Sequence, residues 1–147
     1  MSLSPALVGG LACVVNFGIL VFNLGFTRAD ALAQPNPNVF SPFGQLMVLV
    51  WGIAFLLAGQ ARVSGPIWWA FAIEKACYVS SYILFHSHPN KMYARLDEAM
   101  AANSLTDLLT PTFYYIYGPI DFVFLLLFAH QGLKALPPKS DAGLKAR

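Results

Sequence analysis

The sequence predicts an all-α integral membrane protein, a bundle of four membrane-spanning helices with a short amphipathic helix between the third and the fourth. Hydrophobic residues make up 57% of the 147 residues, charged residues make up 11%, and the mean hydropathy is +0.59. Soluble domains are closer to about 25% charged. Because a chain in lipid must satisfy its own backbone hydrogen bonds, long apolar runs in such a sequence form helices.

Four apolar runs are long enough to cross a bilayer, and they cover about residues 5–26, 43–61, 66–86 and 112–133. A helix of about 20 apolar residues, rising about 1.5 Å per residue, spans the hydrocarbon core. We therefore expect one transmembrane domain over residues 1–136 and a short polar tail over residues 137–147.

The first run has an alternative interpretation as a cleaved signal peptide, because Ala31-Leu32-Ala33 resembles a signal-peptidase site. However, no Lys or Arg precedes the run, and the run is longer than the apolar core of a typical signal peptide. We therefore expect the run to remain in the protein as its first helix.

The distribution of Lys and Arg predicts the orientation in the membrane. The side that holds both termini would carry more of these residues than the other side, and the positive-inside rule therefore places both termini in the cytoplasm. This orientation applies to a bacterial inner membrane or to an equivalent membrane of an organelle. The first side carries Arg62, Lys134, Lys139, Lys145 and Arg147, and the second carries Arg28, Lys91 and Arg95.

The two long loops differ in character. The first, residues 27–45, is rich in Pro and Asn and is expected to be a connector at the outer surface. The second contains NKMYARLDEAMAAN, in which Asn90 is a candidate N-cap for a short amphipathic helix. The residues that fall on one face of that helix are Met92, Leu96, Ala99 and Met100.

Aromatic residues stand near the ends of the last two predicted spans. Trp68 and Trp69 lie at the inner end of the third, and residues 113–117, FYYIY, lie at the outer end of the fourth. Tryptophan and tyrosine are enriched at membrane–water interfaces. We therefore expect these residues to anchor the helices at the interface.

Three ionisable residues, Glu74, Lys75 and Asp121, lie deep inside the predicted spans. Such residues cost about 2.5–3.5 kcal/mol each at the centre of a spanning helix and are usually functional or paired. Counting about 1.5 Å per residue places Lys75 about 17 Å, and Asp121 about 13 Å, from the outer ends of their helices. Both therefore lie near the middle of a core about 30 Å thick, and we expect Lys75 to contact Asp121 or Glu74.

Further polar residues are expected to join these charges. Tyr78 follows Glu74 by one helical turn, and Pro119, next to Gly118, is expected to kink the fourth helix beside Asp121. An alternative is that these groups only hold helices together through hydrogen bonds. The predicted buried cluster comprises Glu74, Lys75, Tyr78, Tyr82, Asp121, Tyr117, Asn16 and Asn23, with Gly118 and Pro119 at the kink.

The sequence predicts no metal site, no cofactor and no nucleic-acid partner. His86 and His88 lie at the opposite end of the membrane from His130, so they cannot hold one metal ion or haem together. No C-x-x-C, P-loop, dinucleotide-binding or zinc-protease motif is present. The net charge of +2 is too small to indicate binding to nucleic acid.

Three functions are compatible with these features, and the sequence does not decide whether a reaction is catalysed. The first is a cavity for a lipid-like or other small amphiphilic ligand, with the charge cluster at its floor. The others are a structural subunit of a larger membrane complex, and a proton or ion pathway in a homo-oligomer. In size, number of spans and buried acids, the chain is similar to the four-helix sterol-isomerase and sigma-2-receptor group, and no catalytic residue follows from that similarity.

Overall fold

Helices form all the regular secondary structure in the part of the chain that the computed structural model describes, residues 3–61, 63–88 and 92–135. The expected cap at Asn90 and the expected tail over residues 137–147 lie outside these ranges. The helices are α1 (Pro5–Phe17), α2 (Ile19–Phe22), α3 (Ala29–Ala33), α4 (Pro37–Phe40), α5 (Pro42–Gln60), α6 (Gly65–Ser87), α7 (Met92–Ala101) and α8 (Leu105–Lys134).

Within the described residues, three helical stretches are long and apolar enough to cross a membrane: Pro5–Phe22, Pro42–Gln60 and Leu105–Lys134. The all-helical prediction is thus confirmed for these residues, and the three stretches are compatible with a membrane protein. Helix α6 has 23 residues but does not belong to this set, and it carries Glu74 and Lys75 at its centre. The fourth span, and with it the four-helix bundle, stays a prediction.

The long helices pack as two antiparallel pairs, α1 with α5 and α6 with α8. Glycine allows the close approach in the first pair, because a Cβ added to Gly9 would overlap the carbonyl oxygen of Phe55. Gly118 does the same in the second pair, where a Cβ would overlap the ring of Tyr82. Glycines therefore lie where a backbone or an aromatic ring of the neighbouring helix approaches most closely.

Large aromatic side chains fill the space between the two pairs. The ring of Phe55 on α5 lies 4.9 Å from that of Phe71 on α6 and 4.8 Å from that of Phe128 on α8, centroid to centroid. Trp68 joins this cluster and is only 2% exposed. The prediction that Trp68 anchors the helix at the interface is therefore wrong, because its ring packs inside the protein.

A second aromatic cluster lies toward the other end of the helices. Phe40 of α4 lies at its centre, with ring centroids 4.8 Å from Phe113, 5.6 Å from Tyr114 and 5.0 Å from Tyr117. These three α8 residues are buried, so the expected interfacial belt over residues 113–117 is wrong for them. The motif covers one full helical turn, and three of its rings face the protein interior.

The first long loop is folded into the protein and is more than a surface connector. Its helices α3 and α4 bring the buried Phe40 into the second aromatic cluster. Gln45, fully buried, donates hydrogen bonds of 2.8 Å to the carbonyl oxygens of Ala29 and Phe40 and accepts one of 2.8 Å from Asn23. These bonds fix the loop over the ends of α2 and α5.

The second long loop contains α7, which packs against α8. Met92 and Ala99 are buried as expected, but Met100 is 62% exposed, so the prediction that Met100 shares their face is wrong. Helix α8 begins at Leu105, before the expected start at residue 112. Its first turn is tied to the first loop, because Arg28 Nη2 lies 3.4 Å from Asp107 Oδ1.

Candidate functional site

Lys75 is the centre of the buried polar site. Its Nζ lies 2.7 Å from Asp121 Oδ1, 3.2 Å from Asn16 Oδ1 and 3.7 Å from Glu74 Oε2, and the side chain is 3% exposed. Asn16 in turn donates a hydrogen bond of 2.9 Å to the carbonyl oxygen of Val48. The site therefore links α6 to α8, to α1 and, through Asn16, to α5.

Two aromatic rings complete the surroundings of the ammonium group. The Nζ atom of Lys75 lies 5.1 Å from the ring centroid of Phe55 and 5.6 Å from that of Tyr78. A desolvated cation at this distance from a ring face is stabilised by the ring's quadrupole. Carboxylate, amide and aromatic groups thus take the place of water around one buried cation.

Glu74 is the least satisfied member of the site. Neither of its carboxyl oxygens makes a hydrogen bond, and both are buried. Lys75 supplies one positive charge against the two carboxyl groups of Glu74 and Asp121. The site is therefore neutral only when one of these carboxyl groups carries a proton, and it holds a net negative charge when both are ionised.

A small cavity of about 70 Å³ lies against this site. Since a molecule of liquid water takes up about 30 Å³, the cavity has room for a few waters or for the end of a larger molecule. Asn16, Lys75, Tyr78, Tyr117 and Asp121 supply its polar groups. The rest of the wall is aliphatic or aromatic: Val15, Ile19, Phe22, Phe40, Val48, Phe113, Ile116 and Ile120.

Helix α8 continues through Pro119, although proline cannot donate to the carbonyl oxygen one turn earlier. That oxygen belongs to Tyr115, and the hydroxyl of Tyr82 on α6 donates to it at 3.4 Å. A side chain of the neighbouring helix thus replaces the missing backbone donor, as expected for proline inside a membrane. Tyr82 therefore supports the backbone of α8 just before Asp121.

Replacing Tyr82 with Phe is expected to destabilise the protein by about 0.5–1.5 kcal/mol, because the hydrogen bond from its hydroxyl to the Tyr115 carbonyl oxygen would be lost. In a Pro119→Ala background the same substitution should cost less, since the restored backbone N–H can take that oxygen. Melting temperatures of the four variants in one detergent measure this coupling. Equal losses in both backgrounds would contradict the assignment.

The structure brings some of the predicted residues together and separates others. Asn16 and Asp121 both contact Lys75, and the ring of Tyr78 lies beside its ammonium group. Asn23 lies elsewhere, with its amide paired to Gln45 and its Oδ1 accepting from the backbone N–H of Phe26. Asn16 and Asn23 therefore serve different polar sites, because seven residues separate them by about 10 Å along the helical stretch.

Tyr117 and Tyr82 lie next to each other, with ring centroids 5.2 Å apart, toward the end of the helices that holds Phe40. The ring of Tyr117 lines the cavity, while its hydroxyl is buried near that of Ser81. Ser81 accepts a hydrogen bond of 3.2 Å from Asn36 in the first loop. Polar groups therefore extend from the cavity wall toward that loop.

Sequence reasoning missed three contributors to the site: the Val48 carbonyl, the Phe55 ring and Phe40. A backbone carbonyl carries no sequence signal, and Phe55 looks like any apolar residue of a spanning helix. Phe40 follows Pro37 and Asn38 in a loop, where an isolated aromatic residue was the available clue. Each of these contributors depends on which helices pack together.

The histidines form no metal site in the described ranges. No group of three or more His, Cys, Asp or Glu residues there could hold a metal ion. His86 Nδ1 lies 3.1 Å from the carbonyl oxygen of Tyr82, and its ring lies 4.2 Å from that of Tyr82, centroid to centroid. This histidine therefore packs on its own helix.

Over the residues that the structure describes, these features define an all-helical fold with three helices able to cross a membrane and an ion pair, Lys75–Asp121, buried among the long helices. No family model, curated protein or solved structure matches the chain. Its function must therefore be argued from the site itself.

Proposed function

We propose that this chain is a four-span integral membrane protein that binds the polar end of a lipid-like or other small amphiphilic molecule in the cavity beside Lys75. The observation that carries the proposal is the ion pair of 2.7 Å between Lys75 and Asp121 on the wall of that cavity. Polar groups beside an otherwise apolar cavity are the usual composition of a small-molecule site.

The length and surface of α6 support a fourth span. Its 23 residues correspond to about 34 Å, enough for a hydrocarbon core of about 30 Å. Ile73, Ile83 and Leu84 are exposed on its outer face, whereas Glu74 and Lys75 are buried. A helix with apolar residues outside and charges inside is suited to lipid when its charged face meets other helices.

The arrangement of charge explains why the ligand would bind by one end. Asp121 and Asn16 already contact the ammonium group of Lys75, so few hydrogen-bonding positions in the cavity remain for a ligand. The aromatic and aliphatic wall favours an apolar body next to a small polar group. We assign no reaction to the site.

The localisation proposed with this function is a bacterial inner membrane or an equivalent organelle membrane, with both termini in the cytoplasm. Lys134 in the last turn of α8 supports this orientation. Reactivity of single cysteines placed at Gln60 and at Thr27 toward an impermeant thiol reagent, after Cys13 and Cys77 are replaced by Ser, would test it.

Filling the cavity is expected to abolish ligand binding. Ile116 lines the cavity, and Ile116→Phe adds volume to its wall, whereas Ile83→Phe makes the same change on the exposed face of α6. Native mass spectrometry of protein extracted from membranes should show a bound small molecule in the parent and in Ile83→Phe. Its occupancy should fall about tenfold or more in Ile116→Phe, corresponding to about 1.4 kcal/mol. The same bound species in both variants would contradict the proposal.

A second candidate function is a structural subunit in which the charges only hold helices together. It is favoured by the fact that Lys75 and its partner Asn16 connect all four long helices at one point. Under this alternative, Ile116→Phe would change stability but no bound molecule would be found in the parent protein. The mass-spectrometric comparison therefore separates the two functions.

A further inference from the structure

An apolar groove lies on the outside of the cavity, between α1 and α8. It has a volume of about 390 Å³ and is lined by Val15, Pro119, Ile120, Val123 and Phe124. Val15 and Val123 are exposed, so the groove opens on the surface that would face lipid. Helix α1 packs closely along α5 and much less closely against α8, and the groove lies between α1 and α8.

The groove and the cavity share two wall residues, Val15 and Ile120. The two spaces are therefore adjacent at these side chains, and the charged residues Lys75 and Asp121 line only the cavity. A molecule with one polar end and one hydrocarbon chain matches this order, polar inside and apolar toward lipid. Lipid-facing apolar side chains alone would bind such a chain no better than the bilayer does.

The cavity limits the polar end of the molecule. A volume of about 70 Å³ favours a small polar group, such as a hydroxyl or an amine, over a phosphodiester or a sugar. A carboxylate would bring a third acidic group to Glu74 and Asp121, against the single cation of Lys75. The site therefore favours a small head group that donates hydrogen bonds and carries no negative charge.

From this geometry we infer that the ligand is a single-chain amphiphile, with a small hydrogen-bond-donating head in the cavity and its hydrocarbon chain in the α1–α8 groove, entered from the lipid. This inference rests on the proposed function and adds the class of ligand and its route. It assigns the groove of Val15, Pro119, Ile120, Val123 and Phe124 as the chain-binding part of the site.

Tryptophan fluorescence can show where the chain lies. Phe124→Trp places a reporter in the groove, and Phe122→Trp places one about 3 Å higher or lower on the same helix, on the exposed face outside the groove. Each variant is reconstituted in phosphatidylcholine nanodiscs containing increasing mole fractions of 11-bromoundecan-1-ol, whose bromine quenches tryptophan on contact. The parent protein, measured in parallel, gives the contribution of Trp51, Trp68 and Trp69.

We expect the Phe124→Trp signal to fall along a curve that saturates, and the Phe122→Trp signal to fall in proportion to the bromoalcohol content. The corresponding bromoamine should also give saturation, and the bromocarboxylate and headless 1-bromododecane should not. Val123→Trp provides a second reporter in the groove should Phe124→Trp fail to fold. Equal, unsaturated quenching at positions 122, 123 and 124 would overturn the inference.

The cavity variant separates failure of this inference from failure of the proposed function. Combined with Phe124→Trp, Ile116→Phe should raise the mole fraction for half-saturation about tenfold, equivalent to about 1.4 kcal/mol. If mass spectrometry shows a bound molecule that Ile116→Phe removes, but quenching at position 124 never saturates, the cavity binds a ligand without the groove. If neither is observed, both the inference and the proposed function fail.

Discussion

Replacing Asp121 with Ala is expected to lower the stability of the protein by about 3–5 kcal/mol, because it leaves the buried Lys75 cation without its closest carboxylate. The double variant Asp121→Ala with Lys75→Met should recover most of this loss, since an uncharged side chain needs no partner. Melting temperatures in one detergent would measure the difference. Equal melting temperatures for the single and double variants would contradict a stabilising ion pair at 2.7 Å.

Glu74 provides a sharper control for the same experiment. Its Oε2 atom lies 3.7 Å from Lys75 Nζ, so after Asp121→Ala it is the remaining carboxyl group beside the cation. Adding Glu74→Gln to Asp121→Ala should therefore increase the loss of stability. Glu74→Gln alone should cost little, because its carboxyl oxygens make no hydrogen bonds and Asp121 still neutralises Lys75.

The second large effect is expected at Gly9, where Ala should destabilise the protein by about 1–3 kcal/mol or more, the usual cost of overpacking. A Cβ at this position would overlap the carbonyl oxygen of Phe55 and lie 3.0 Å from the Cα atom of Gly59. Both are backbone atoms, so they cannot rotate away, and α1 would have to separate from α5. The loss should appear as a lower melting temperature in detergent.

Gly10 is the matched control for this substitution. It is adjacent in sequence and on the same helix, but a Cβ added there meets no atom within 4 Å. Because alanine favours helix by about 0.8–1.0 kcal/mol over glycine, Gly10→Ala should leave the stability unchanged or raise it. If Gly9→Ala and Gly10→Ala behaved alike, close packing of α1 on α5 would be contradicted.

Much of the helical structure could be predicted from the sequence because it depends on local composition. The apolar runs end where polar, proline-containing or glycine-containing segments begin, and α5 over Pro42–Gln60 lies within a residue of the expected range. Composition alone could not place the start of α8, because its first turns, LTDLLT, mix leucine with Thr and Asp and lie before the apolar run. Counting residues along the helices was enough to place Lys75 and Asp121 at similar levels, where they make contact.

The partners of each residue could not be predicted in this way, because they depend on which helices pack together. Asn16 and Asn23 lie two helical turns apart, about 10 Å along the axis, and the two amides reach different partners. Tryptophan is a common residue at membrane interfaces, but Trp68 lies in the core, because large rings fill the space between the two helix pairs. Position along a helix determines how far a residue lies from the helix ends, whereas helix packing determines which neighbours its side chain contacts.

The pairing of α6 with α8 has a consequence for how the chain enters a membrane. Lys75 and Asp121 belong to the same antiparallel pair, so their ion pair needs no residue from the first half of the chain. In the proposed four-span topology, α6 and α8 can leave the translocon as one hairpin in which Asp121 already neutralises Lys75. Lys75 thereby enters the lipid together with its counter-ion. The α1–α5 pair, which packs closely at its glycines, then supplies Asn16 as a further hydrogen-bond acceptor for the ammonium group.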